Sequence, residues 1–389
     1  MSSGIPIFTP KGMMLKWLLA AFWPLLWIPS LAFEGECPFV QANFGAAWGK
    51  DTVEVKLDSL VTRLAQERKC RVVLRVGYGV DRRYYVGYDG RRNQRIEKFD
   101  GAIDIGSQTK MFTAISVLQL IERGKLSLET PLVSVISDRN LISDLVMKDH
   151  QGDIDSVRIR HLLNHSSGFP DYFYKNDDIV ISLFSDSTMR FTPRQLIQMA
   201  KRVDTAKFRP GQGFSYSNVN YLLLGMIIEK ISGKSYYEYV RENIFLPAGL
   251  SHSGFASSTP PDRRSAGYFN GRLAQMPATM AGAAGEIVST LDDMDRFIRF
   301  WEQGKLYQNN AIAEVQRRDY FLSMGGGLLY GLGIISMRDQ NKGHAGQTFG
   351  YSSYTGIFPN GYSMVLAIDD AAVSVWLPAM DISNALSSK

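Results

Sequence analysis

Ser107 and Lys110 stand one helical turn apart, and their types and spacing suit nucleophilic chemistry. A serine hydroxyl attacks poorly until a base takes its proton, and a neutral amine beside it can be that base. Of the 17 lysines, only Lys110 has a serine three positions before it. The run that follows contains Met111, Phe112, Ile115, Val117, Leu118, Leu120 and Ile121, and it stops at Gly124. Apolar residues on every side predict a buried helix. Burial and the positive helix N-terminus both disfavour the ammonium form, so the lysine pKa is expected to fall. The plainer account is a serine N-cap followed by a lysine that reaches solvent. Its place at the head of the most apolar helix favours chemistry.

Tyr216-Ser217-Asn218 follows a turn-rich approach, Arg209 to Ser215, and precedes a helix expected from about Val219 to Ile231. Ser217 or Asn218 capping that helix, with Tyr216 packed beneath, is the ordinary explanation. In an extended segment, however, Tyr216 and Asn218 point to one side and can serve one cleft. His344-Ala345-Gly346 opens a strand-like run after the turn Gln340–Gly343. A glycine in an edge strand there would let another backbone approach closely, as when an extended substrate adds as a strand.

The elements that must position these residues are legible from periodicity. Val53, Leu57, Leu60, Val61 and Leu64 predict an amphipathic helix over 53–68. Val72–Val76 and Tyr84–Tyr88 read as a hairpin around Gly-Val-Asp-Arg. Helical patterns dominate from Ser107 to Glu229. Strand patterns return at Leu328–Met337, Thr348–Phe358 and Tyr362–Ile368, and residues 371–386 read as a closing helix. Residues 251–282 read as a long irregular excursion. Strands at both ends with helices between imply an α/β (α+β) domain, its antiparallel sheet built from both chain ends and flanked by helices, with a mainly helical subdomain inserted. The expected division is 33–106 plus 283–389 for the sheet-containing part and 107–282 for the helical part.

Composition narrows the function classes. The chain has 389 residues, 45% hydrophobic and 21% charged, which is globular and excludes wholesale disorder. A net charge of +5 without a long basic run gives no reason to expect nucleic acid as a partner. Five histidines and two cysteines form no metal-ligand pattern. His161-Leu162-Leu163-Asn164-His165 lacks the glutamate of a zinc peptidase and reads as scaffold. No Gly-x-Ser-x-Gly elbow or phosphate loop occurs.

At the start, Lys11 to Lys16 precede a nearly apolar stretch from Trp17, and Ser30-Leu31-Ala32 offers small residues for cleavage. This reads as an export signal over residues 1–32, and the mature protein is expected periplasmic or secreted. Pro24 and Pro29 disfavour a retained anchor, so a membrane partner is expected only if the leader stays uncleaved. Export makes a Cys37–Cys70 disulfide available, though two thiols that never meet fit the spacing equally well.

In their order, Ser107-x-x-Lys110, Tyr216-x-Asn218 and His344-x-Gly346 resemble the three-motif active site of penicillin-recognising serine hydrolases. The likeness is to the branch of class C β-lactamases, D-alanyl-D-alanine carboxypeptidases of that type and esterase relatives. Arg160–Phe169 and Ala281–Thr290 fit the same family, and the resemblance spans roughly residues 60 to 370. It implies a β-lactamase/transpeptidase-like fold, acyl transfer with no cofactor, and a small peptide, amide or ester substrate. Ser107 would attack, and Lys110 and Tyr216 would take and relay its proton. Asn218 would hold Lys110, and the amides of Ser107 and Gln347 would face the oxyanion. His344 stands where many relatives carry lysine, which implies a hydrogen bond to Tyr216 and a partial, pH-dependent charge. Ala345, Gly346 and Gln347 would line the substrate. Ala345 replaces a frequent threonine, and Gln347 a small or hydroxylated residue, so a site for a substrate's terminal carboxylate is weakened. A non-catalytic module that binds cell-wall peptide or a protein partner is the alternative; the intact Ser107, Lys110, Tyr216 and Asn218 argue against it.

Overall fold

The computed structural model describes residues 50–79, 82–173, 186–274, 276–337 and 341–387. The expected leader and Cys37 lie outside them.

Alternation within the first strand explains the layering. In β1 (Arg71–Tyr78), Val72, Leu74 and Val76 pack with Leu57, Val61 and Ala65 of helix α1 (Lys50–Arg68). Val73 faces the other way, into the larger apolar cluster that contains Phe112 and Phe297. Both faces are therefore covered, which is why the strand reads as an apolar run broken only by Arg75, whose guanidinium pairs with Asp292 and Asp295. Cys70 is buried at the start of β1, and burial pushes its thiol up to about 12.

The sheet contains nine strands among the described residues. They are β1, β2 (Arg82–Asp89), β3 (Gln94–Arg95), β4 (Leu322–Gly325), β5 (Leu328–Tyr330), β6 (Ile335–Met337), β7 (Asn341–Gln347), β8 (Ser352–Ile357) and β9 (Tyr362–Ile368). Their order is β3-β2-β1-β9-β8-β7-β6-β5-β4, antiparallel throughout. The pairing of Val72 with Ile368 joins the two chain ends into one sheet. The inserted segment supplies α2 (Thr109–Glu122) and α3 (Asn218–Ser232), and α4 (Leu291–Glu302) follows it. Phe112 of α2 stacks on Phe297 of α4 at 3.8 Å between centroids. Helix α5 (Trp376–Ser387) closes the chain beside α1, with Ile382 and Leu386 in the same cluster as Leu57.

Three expectations change in detail. Asn341–Gly343, read as part of a turn, already belong to β7, which is paired on both sides and is not an edge. Leu328–Met337 is two strands, because the Gly331 amide donates to the Ile334 carbonyl at 2.8 Å and turns the chain back. The 251–282 excursion contains a hairpin, Gly267–Phe269 with Arg272–Ala274. Its turn residues Asn270 and Gly271 both have positive φ, 49° and 73°, as a type I′ turn requires. Their amides donate to the two carboxylate oxygens of Asp370 at 2.9 and 2.8 Å. None of the described helices is long and apolar enough to cross a membrane.

Candidate active site

Ser107 sits on a 3-10 turn, Gly106–Gln108, that feeds directly into α2. Five contacts from three directions fix this turn. Gln108 Nε2 donates to Ser353 Oγ of β8 at 2.7 Å. The Ile105 amide donates to the Ile287 carbonyl at 3.1 Å, and the Ile287 amide donates to Thr109 Oγ1 at 3.0 Å. Below, the Ile105 carbonyl lies against Gly346 of β7 so closely that any β-carbon there would collide with it. Gly106 has φ +53° and faces the Gln347 carbonyl, which a β-carbon would approach to 2.7 Å. Glycine is thus required on both sides of the junction. The backbone that closes on Gly346 belongs to the turn that carries Ser107, not to an added strand.

Lys110 is fully buried one turn further on. Its Nζ lies 3.1 Å from Ser107 Oγ and donates to Asn218 Oδ1 at 2.8 Å and the Ala284 carbonyl at 2.7 Å. The Tyr216 and Tyr221 rings cover it, with centroids 4.8 and 5.5 Å from Nζ. Burial lowers its pKa to about 7, opposed by the charge of Asp171. A substantial fraction is then neutral near neutral pH, as the apolar helix implied.

Neither Ser217 nor Asn218 caps α3. Ser217 Oγ donates to the Pro170 carbonyl at 2.8 Å, and its amide donates to His165 Nδ1 at 3.2 Å. The Asn218 side chain spans Lys110 and Asp171, donating through Nδ2 to Asp171 Oδ2 at 3.0 Å. Tyr216 and Asn218 do serve one side of the segment. Ser107, Asn218, Gln347, Phe173, Met276 and Met280 line the cleft above.

His344 departs from expectation. Its Nδ1 donates to the Ala345 carbonyl at 2.6 Å, which leaves Nε2 to accept from the Tyr330 hydroxyl at 3.0 Å. Both ring nitrogens are engaged away from Tyr216. Burial depresses its pKa to about 3, with Lys110 adding to the effect. It is a neutral ring, so the expected pH-dependent charge is absent. Ala345 does not reach the cleft: β7 alternation puts its methyl in the apolar cluster with Met337 and Tyr354. Gln347 lines the cleft, while its side-chain amide donates to the Ala371 carbonyl at 2.8 Å.

Four groups escaped the sequence reading. Asp171 is a buried carboxylate whose pKa burial raises to about 6. His165, read as scaffold, stacks under Tyr216 at 4.2 Å between centroids and holds φ +58°. Tyr330 and the Ala284 carbonyl complete the set. His161 does behave as scaffold, accepting the Arg158 amide at Nδ1. For His165 the signal was present, since it lies within Arg160–Phe169, a stretch that fits the family. For Asp171, a lone aspartate in a loop, there was none.

The sequence profile of the family described as Beta-lactamase matches residues 57–374. The chain belongs to the beta-lactamase family. Penicillin-binding protein 4* of Bacillus subtilis (strain 168) is 28% identical over 329 residues, covering 76% of this chain and 67% of that protein. A putative D-alanyl-D-alanine carboxypeptidase of Escherichia coli (strain K12) is 30% identical over 213 residues, 54% of this chain and 45% of that protein. The chain therefore spans less than half of that relative. D-amino acid amidase from Ochrobactrum anthropi SV3, complexed with D-phenylalanine, superposes with a TM-score of 0.72 at 22% identity, over 86% of this chain and 98% of that one. That likeness shows the beta-lactamase-family fold, including the large antiparallel sheet with its flanking helices.

Proposed function

We propose that this beta-lactamase-family chain is an exported serine hydrolase that opens a peptide, amide or ester bond through an acyl-enzyme on Ser107. The observation that carries the reading is the Lys110 amine, buried, without a salt-bridge partner among the described residues, and 3.1 Å from Ser107 Oγ. A neutral amine has two hydrogens and one lone pair. Asn218 Oδ1 and the Ala284 carbonyl take the hydrogens, which turns the lone pair toward the serine. Ser107 loses its proton to Lys110 as Oγ bonds the substrate carbonyl carbon. Tyr216, whose ring packs over the amine, would relay that proton to the leaving group. The amides of Ser107 and Gln347 face the carbonyl oxygen as it gains charge. Water, activated by the same base, then releases the acyl group.

A D-configured amide or peptide is the favoured substrate, since the carboxypeptidase and amidase relatives are named for such compounds. Among the described residues the cleft lining includes no arginine, and Lys110 lies beneath it, which favours substrates without a terminal carboxylate at the leaving side. Turnover of D-amino-acid amides, aryl esters and a penicillin by wild type and Ser107→Ala tests the reading. Activity lost in the variant supports it; equal behaviour of the two proteins across the panel refutes it. Export rests on the charged, then apolar run of residues 11–33. A mature N-terminus at Phe33 is expected; an intact leader on the secreted protein would refute cleavage.

A further inference from the structure

Asn218 has two chemically different ends, and catalysis needs only one of them to face Lys110. With Oδ1 toward the lysine, the amide accepts an N–H and leaves the lone pair of Nζ for Ser107. With Nδ2 toward it, the amide would donate into that lone pair and block the base. Nothing on α3 decides between the two. Asp171 does, because an ionised carboxylate only accepts, and its Oδ2 lies 3.0 Å from Nδ2. The carboxylate is itself held from the loop after Pro170. Asp171 Oδ1 accepts the Phe173 amide at 3.4 Å, and the Asp171 amide donates to Asp204 Oδ2 at 3.2 Å. Lys207 pairs with Asp204 at 2.6 Å, so the supporting carboxylate has its own cation.

From this geometry we infer that Asp171 is a positioning residue for acylation: it orients Asn218 and supplies the counter-charge when Lys110 takes the serine proton. The inference rests on the acyl-enzyme reading above. Before attack the buried group is a neutral amine and a carboxylate. The proton leaving Ser107 Oγ arrives on Nζ while the Oγ electron pair forms the bond to carbonyl carbon. The site then holds an ammonium and a carboxylate joined through the Asn218 amide. A buried positive charge is costly without such a partner. The other titratable groups around Lys110 do not compensate. His165 and His344 are kept neutral by burial, and burial likewise holds the Tyr221 and Tyr330 hydroxyls protonated. Among the described residues Asp171 is the acidic group whose charge acts on the lysine, raising a pKa that burial lowers.

The test is the pH profile of acylation in Asp171→Asn. Loss of the carboxylate removes the influence that raises the lysine pKa, so the acid limb moves to lower pH, by about one pH unit. The plateau falls at the same time, about 10-fold or more, because the amide is free to flip and the new ammonium is unpaired. Asp171→Glu, which keeps the charge, restores the limb toward wild type. A residue that only packs the loop would change the rate or the melting temperature and leave the limb in place, and that result overturns the inference. A wild-type readout covers a variant that does not fold: titration of 13Cε-labelled lysine by NMR. The resonance that titrates near neutrality is expected to show a second, lower inflection as Asp171 protonates beside it. One inflection alone overturns the coupling. Absence of Ser107-dependent turnover would strike the enzyme reading instead, and the NMR titration still decides the Asp171–Lys110 link.

Discussion

At the residue scale the decisive quantity is the protonation state of one lysine. Lys110 is buried, and its pKa is lowered to about 7, so acylation is expected to rise with pH through that value and to fail below it. Stopped-flow acylation between pH 5 and 9 checks this; a rate independent of pH would contradict it. Lys110→Ala is expected to slow acylation by ~10²–10⁴-fold, the usual worth of a positioned base, while the protein still binds an unreactive substrate analogue. His344, held neutral with a pKa of about 3, is expected to add no inflection between pH 5 and 8. Ser107 and Lys110 stood out in sequence because a lysine at the head of an all-apolar helix is chemically odd. Tyr216 and Asn218 read as ordinary packing and capping, and stood out only through the order of the family-like motifs. The contacts of His344 were not legible. They depend on Tyr330, which lies 14 positions away across a turn that splits the expected strand.

At the scale of elements, the site is a junction between the turn before α2 and the end of β7. Gly346 is the point where the two backbones touch, so Gly346→Ala is expected to displace Ser107. It should cost about 1–3 kcal/mol of stability from overpacking and abolish acylation. Gly271→Ala is the control. That glycine has φ +73° and open space around it, so the change costs about 1–2 kcal/mol through backbone strain and leaves acylation intact. Denaturant midpoints and adduct formation on both variants separate site geometry from stability. The core strands, α1, α2, α3 and α5 were readable because their apolar spacing matches their buried faces. The Asn270–Gly271 hairpin was missed although its turn dipeptide was visible. Its strands are only three residues long, too short to show alternation, and its turn is fastened by Asp370 from the far end of the chain.

At the scale of the whole molecule, keeping the buried Lys110 amine neutral opposes stability. An unfolded lysine has a pKa of 10.5 and the folded Lys110 one of about 7, so between these values the unfolded chain binds the extra proton. Stability contributed by this residue therefore rises as pH goes from 7 to 10, by up to about 1.4 kcal/mol per pH unit. Lys110→Met lacks that dependence. It is expected to be more stable than wild type at pH 7, with the gap narrowing toward pH 10; a constant gap would contradict the buried neutral amine. The two-ended sheet was inferable because strands at both termini need partners. The loop that brings Asp171 beneath Asn218 was not, since no periodicity marks a tertiary contact 47 positions long. The central claim, that Ser107 is the nucleophile, is tested most directly by mapping the trapped acyl group after exposure to a penicillin and an aryl ester. One acyl group per chain is expected, on the peptide that carries Ser107, and none on Ser107→Ala; a label on another residue, or equal labelling of both proteins, would contradict the account.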